Sequence, residues 1–182
     1  MPRGKVRMLT LSALFTALTA VGAFFKIPFP LAAISLQFFF TALAGVLLGA
    51  GWGAVSQAVY VLLGLVGLPI FSLGGGVSYV LQPTFGFVLG LIPAAWVIGR
   101  LAGRPVRFWR ALAAMLAGLC VIYAVGLAHL ALITRVYLHQ ALPAAALLRA
   151  GLLVYLPGDA LKLVGASLLC PVLSRRLGAA PG

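Results

Sequence analysis

Acidic side chains are all but missing from this chain: Asp159 is the only one, against thirteen Lys and Arg. Paired-acid hydrolysis and the multi-aspartate metal sites of membrane phosphoryl chemistry both need more than one carboxylate, so both are excluded. Cysteine is nearly as scarce. Cys120 and Cys170 each fall within an apolar run, without a partner at metal-ligand spacing, and read as small core residues. No Walker phosphate loop occurs, so the chain itself is not expected to hydrolyse ATP, and no metal site is expected. Polar sequence is short as well: 8% of residues are charged and 64% hydrophobic. With a mean hydropathy of +1.19, nothing is left over for a water-soluble domain, and the chain belongs in a bilayer.

What the chain has instead is repeated apolar runs. Crossing about 30 Å of hydrocarbon takes roughly 20 apolar residues. Candidate spans lie at Met8–Phe25, Ala32–Gly49, Ala54–Phe71, Thr84–Leu101, Ala111–Ile133 and Leu152–Leu173. The expected fold is therefore an all-α integral membrane protein, a bundle of six transmembrane helices with external capping loops, in one domain over residues 1–182. Basic residues sit at the ends of these runs: Arg3, Lys5 and Arg7; Arg100, Arg104, Arg107 and Arg110; Arg175 and Arg176. Nine of the thirteen then face the cytoplasm if both termini do, which is the positive-inside pattern and not the single basic face of a nucleic-acid binder. A basic start followed by Ala20, Gly22 and Ala23 also fits a cleaved signal sequence. The Ala13-x-x-x-Ala17 spacing argues for retention, because small residues four apart let another helix approach closely.

Three segments break the runs on the external side. Lys26-Ile-Pro-Phe-Pro is a loop that can extend neither neighbouring helix. In Phe71-Ser-Leu-Gly-Gly-Gly-Val-Ser-Tyr-Val-Leu-Gln-Pro83, three glycines permit backbone shapes closed to other residues, and backbone amides there can face a ligand. The segment from Arg135 to about Leu156 is expected to carry a short interfacial helix ending at Pro157.

The lone acid lies in Tyr155-Leu-Pro-Gly-Asp-Ala-Leu-Lys162. If Pro157 opens the last helix, Asp159 sits in its first turn, where the helix dipole favours a negative charge, with Lys162 on the same face. Tyr155 reaches the same region. An ion at mid-bilayer costs about 2.5–3.5 kcal/mol, so the pair should face the bundle interior or an outer cavity. Structurally it cancels its own charge and fixes helix packing. As a ligand site, the carboxylate accepts from N–H groups and the ammonium donates to an oxygen, and the absence of every other acid favours this reading.

Other candidates are weaker. His129 and His139 with Ser78 form a poor match to a serine-protease-like pair, with no orienting group, and no catalytic residue is assigned. Phe38, Phe39, Phe40, Trp52, Trp96 and Trp109 read mostly as lipid-facing or interfacial anchors. Gln37 and Gln57, amides within apolar runs, need an interior partner, whether another helix or a ligand.

The blocks ISLQFFF (Ile34–Phe40), SQAVYVLLGLVGLPIFSLGGG (Ser56–Gly76), QPTFGFVLG (Gln82–Gly90) and LPGDALK (Leu156–Lys162) run in an order that resembles the BioY family, the biotin-specific substrate-binding (S) components of energy-coupling-factor vitamin transporters. The resemblance covers nearly the whole chain and implies a six-helix bundle that binds biotin at its outer side. It implies ligand contacts from Asp159, Lys162, Tyr155, Gln37, Phe71, Ser72, Gly75, Gly76, Ser78 and Tyr79, with the Lys26–Pro30 loop as an external flap. Asp159 takes the ureido N–H groups, and Lys162 either the ureido oxygen or the valerate carboxylate. Gln82 and Phe87 depart from the family pattern, which has glycine and tyrosine there. Ala13 and Ala17 resemble the spacing by which such subunits dock onto a transmembrane coupling (T) subunit driven by two ATPases. No cofactor is implied beyond the ligand biotin, and the implied location is the bacterial plasma membrane, multi-pass. A solitary biotin facilitator and a non-transporting membrane scaffold are the alternatives.

Overall fold

A computed structural model describes residues 3–29, 32–139, 143–153 and 155–177. Helix α1 (Arg3–Phe24) leads into a two-stranded antiparallel hairpin, β1 (Lys26–Phe29) and β2 (Ala32–Ser35), in which Ile27 pairs with Ile34 and Pro28 with Ala33. A two-stranded ribbon has only edges, so Pro28 is tolerated there. The expected Lys26–Pro30 loop is thus largely a strand, with Pro30 outside the described residues. The second apolar run is correspondingly helical only from Gln37, because its first residues pair with β1.

Helix α2 (Gln37–Leu65) is interrupted at Gly49, whose φ of 82° and ψ of 178° are closed to residues with a side chain. A continuous helix would place Gln37 and Tyr60 about 34 Å apart, yet their side chains hydrogen-bond at 2.5 Å. The helix therefore doubles back on itself at Gly49. A 3-10 turn (Val77–Leu81), α3 (Phe85–Leu89), α4 (Leu91–Ala102), α5 (Phe108–Val136), α6 (Ala144–Leu148), a π-helical turn (Arg149–Leu153) and α7 (Leu156–Arg176) complete the order. Pro157 does lie in the opening turn of α7, and a short helical segment precedes it.

Among the described residues, five helical segments and not six are long and apolar enough to cross a membrane: Gly4–Phe24, Gln37–Leu65, Phe85–Ala102, Phe108–Val136 and Leu156–Arg176. The difference lies in α2, which takes in most of the second and third apolar runs, Gln37–Gly49 and Ala54–Leu65, as one helical segment broken at Gly49. Leucines such as Leu62, Leu161 and Leu168 remain well exposed, as expected where lipid and not water is the outer solvent.

Buried polar groups between α1 and the two limbs of α2 satisfy one another. Thr41 Oγ1 donates to Gln57 Oε1 at 2.9 Å, Gln57 Nε2 reaches Thr19 Oγ1 at 3.3 Å and Ser56 Oγ at 3.0 Å, and Thr16 Oγ1 donates to the Ser56 carbonyl at 2.8 Å. Gln57 thus finds a helix partner. Such bonds contribute on the order of 0.6–1.7 kcal/mol each in membranes. Replacing Gln57 by Leu should lower the thermal midpoint by a few degrees and leave ligand affinity unchanged, as thermal melts and titrations of the purified protein would show.

Candidate ligand cavity

Proline at the start of α7 fixes the helix entry, so the next residues project together: Asp159 in the first turn and Lys162 one turn on, both buried. They form an ion pair through Asp159 Oδ1. The other carboxylate oxygen, Oδ2, accepts from the Tyr123 hydroxyl of α5 at 2.5 Å. Lys162 Nζ also donates to the Ser35 carbonyl at the end of β2, at 3.0 Å. Ser35 continues the network, its hydroxyl donating to Gln37 Oε1 at 3.0 Å, and Gln37 passes it through the Tyr60 hydroxyl to the Ile70 carbonyl at 3.1 Å. The single acid is therefore held by two helices and tied to the hairpin and to α2.

These groups face a cavity of about 320 Å³, at the lower end of the range for small-molecule sites. Its polar lining comes from Asp159, Lys162, Tyr123, Tyr155, Gln37, Ser35, Ser72, Thr84 and Tyr79. Its apolar lining comes from Phe38, Leu73, Phe87, Val88, Leu91, Leu119 and Ile122. Phe87 stands between two of the phenols, with ring centroids 6.3 Å from Tyr123 and 6.0 Å from Tyr155. Burial pushes the Tyr79 phenol above its usual range, against a smaller opposing effect of the Leu73 backbone amide, so it stays a neutral hydroxyl. The arrangement offers one buried carboxylate, one ammonium and several hydroxyls in an apolar enclosure. It suits a small ligand that carries both N–H donors and an oxygen acceptor.

The family model described as BioY family matches residues 1–179. The chain belongs to the BioY family. A probable biotin transporter BioY of Lysinibacillus sphaericus is 49% identical over 135 residues, covering 72% of this chain and 68% of that protein. The biotin transporter BioY of Thermotoga maritima is 38% identical over 165 residues, covering 90% and 94%. Among solved structures, the S-component for biotin from an ECF-type ABC transporter matches with a TM-score of 0.83 at 26% identity, covering 99% of this chain and 96% of that one.

In this BioY-family chain, six of the sequence candidates meet at the cavity: Asp159, Lys162, Tyr155, Gln37, Ser72 and Tyr79. Gly75 and Ser78 line a separate pocket with Gln82, Pro83, Tyr137 and Leu138, which shares Leu73 and Tyr79 with the first. Phe71 and Gly76 line neither. Phe71 is fully buried behind Tyr79, 4.6 Å between ring centroids, and its ring fills the space that Gly64 leaves empty. The glycine loop is packed down upon α2: Gly74 N donates to the Phe71 carbonyl at 3.2 Å and Gly76 N to the Gly64 carbonyl at 2.7 Å. Those two amides hold the loop's shape and do not face the cavity, contrary to the expectation for them. Phe38 is not a lipid-facing anchor, since it is buried and lines the cavity.

Sequence reasoning missed three polar groups of the cavity, Ser35, Thr84 and, holding the acid itself, Tyr123. For Tyr123 the available signal was a hydroxyl in the middle of the fifth apolar run, which needs a buried partner. Among the described residues neither His129 nor His139 hydrogen-bonds to Ser78; His129 instead packs its ring on Phe85, 5.8 Å between centroids. Ala13 and Ala17 are both exposed on α1.

Proposed function

We propose that this chain captures biotin from outside the cell in the Asp159–Lys162 cavity, as the S component of an energy-coupled biotin uptake system of the bacterial plasma membrane. One observation carries the reading. The only carboxylate of the chain, oriented by Tyr123 and charge-compensated by Lys162, opens onto an enclosure of small-ligand size in a bundle that matches a biotin S-component over nearly its whole length.

The chemistry follows from the placement. Asp159 accepts from the ureido N–H groups, using lone pairs that Tyr123 and Lys162 leave open. Because Lys162 is in contact with Asp159, it lies at the same end of the ligand and donates to the adjacent ureido oxygen. The apolar walls take the bicycle and the valerate chain, and the hydroxyls of Thr84 and Tyr79 are the groups offered to the valerate carboxylate. Both termini are assigned to the cytoplasm. Because α2 doubles back at Gly49, the single domain makes six crossings, which returns the chain to its starting side. Ala13 and Ala17, exposed on α1, form the surface for the T subunit, with ATP hydrolysis left to two partner ATPases.

Calorimetry of biotin with the purified chain in neutral detergent tests this directly. One-to-one binding is expected, with biotinamide retaining most of the affinity and a valerate chain lacking the ureido ring retaining none. Folded protein that takes up no biotin would sink the assignment.

A further inference from the structure

The end of the bundle away from the cavity carries charge that the protein does not neutralise. Arg100, Arg104, Arg107 and Arg110 are all exposed around the α4–α5 turn, and the only acid of the chain is occupied by Lys162. Two of these guanidiniums are held in place. Arg104 donates to the Leu47 carbonyl at 3.1 Å, and Arg110 donates through Nε to the Leu101 carbonyl at 3.0 Å. Arg110 also lies across the turn at Gly103, where an added Cβ would stand 2.2 Å from its Cζ. Each bond uses one of five guanidinium donors, so the remaining N–H groups are pre-oriented for another acceptor. Arg100 sits 5.1 Å above the Trp96 ring, and Trp109 is 77% exposed beside Arg110. Exposed indoles beside arginines at the end of a membrane span belong at headgroup depth.

From these observations we infer that the Arg100–Arg110 turn is a binding site for an anionic phospholipid, recognised through its phosphodiester by the arginines and through its glycerol and upper acyl region by Trp96 and Trp109. Guanidiniums suit phosphate oxygens because they present paired donors. The lipid supplies the counter-charge that the sequence omits. This site stands apart from the biotin reading and needs none of its residues.

The test uses the full chain in neutral detergent, with phosphatidylglycerol, phosphatidylcholine and soluble glycerol phosphate as probes, bound lipid being counted by native mass spectrometry. Phosphatidylglycerol should bind in preference to phosphatidylcholine, with an affinity that falls as salt rises. Charge removal in Arg100→Gln with Arg107→Gln, which leaves both carbonyl contacts intact, should weaken it about fivefold per arginine. The control Arg149→Gln, remote in sequence from the turn, should leave it unchanged. Should the double variant fail to fold, quenching of tryptophan fluorescence by bromine-labelled lipids reads the same site in the unaltered protein, and the labelled phosphatidylglycerol should quench more strongly than labelled phosphatidylcholine. Equal binding or quenching by the two lipids, unchanged lipid binding in a folded double variant, or displacement of the lipid by equimolar soluble glycerol phosphate overturns the proposal.

Discussion

Asp159→Asn should abolish useful biotin affinity, weakening it by roughly 30- to 3,000-fold. The figure follows from about 2–5 kcal/mol for truncating one partner of a buried hydrogen-bonded charge pair, at 1.4 kcal/mol per factor of ten. An amide of the same shape can still accept from Tyr123, so the helix contacts that position the side chain survive. What it removes is the negative charge facing the ligand's N–H groups and the counter-ion of Lys162, which is only 8% exposed. The orphaned ammonium also weakens the fold, since a buried charge stripped of its partner costs about 3–5 kcal/mol.

That second effect is why the single variant needs a companion. Asp159→Asn with Lys162→Met removes the unpaired charge, so the thermal midpoint should recover while calorimetry still finds no biotin binding. If the double variant recovered both, the acid would serve packing alone, and the ligand would be held by the surrounding hydroxyls and aromatic walls. Tyr123→Phe separates orientation from charge. It should cost less than Asp159→Asn, because it leaves the ion pair whole and frees only one lone pair of Oδ2.

The site was legible in the sequence where physics leaves a residue few choices. A carboxylate inside an apolar run has to be paired and turned inward, so Asp159, Lys162 and Tyr155 point to one place from the sequence alone. Gln37 and Gln57 were constrained in the same way, but both possible outcomes satisfy an amide. One of them ends in a seam of Thr and Ser hydroxyls and the other at the cavity. Tyr123 was only half legible: a hydroxyl in the middle of an apolar run needs a buried partner, but nothing local names one that lies 36 residues away. The glycine loop misled for a related reason. Three consecutive glycines announce an unusual backbone but do not say whether a ligand or the protein's own α2 comes close to it. Here it is the protein itself: a Cβ on Gly75 would lie 2.1 Å from the carbonyl oxygen of Leu68, just past the end of α2, and 2.9 Å from that of Gly64 within it.

The same limit explains the helix count, and it leads to the second large effect. Glycines at 45, 49, 51, 53 and 99 look alike in sequence, yet their surroundings differ. An added Cβ at Gly99 would fall 2.3 Å from the Ala50 amide nitrogen and 2.5 Å from the Gly49 carbonyl carbon, both backbone atoms of the reversal in α2. The reversal cannot easily give way, because Gly49 already holds a conformation that only glycine adopts without strain. At Gly51, two residues along, nothing lies within 4 Å. One methyl group should therefore have opposite consequences. Gly99→Ala should destabilise the bundle by about 1–3 kcal/mol through overpacking, lowering the thermal midpoint by roughly 2–12 °C for a chain of this size. Gly51→Ala should be neutral or stabilising by up to about 1 kcal/mol, since it only restricts the unfolded backbone. Melting curves of the two variants side by side decide it, and matching midpoints would mean that α4 does not press on the α2 reversal. Biotin affinity at low temperature should change little in either variant. Gln37 and Phe38 reach the cavity from the opposite end of the first limb of α2, about 18 Å from Gly49, so the reversal sets whether the bundle holds together and the far ends of its helices set what it binds.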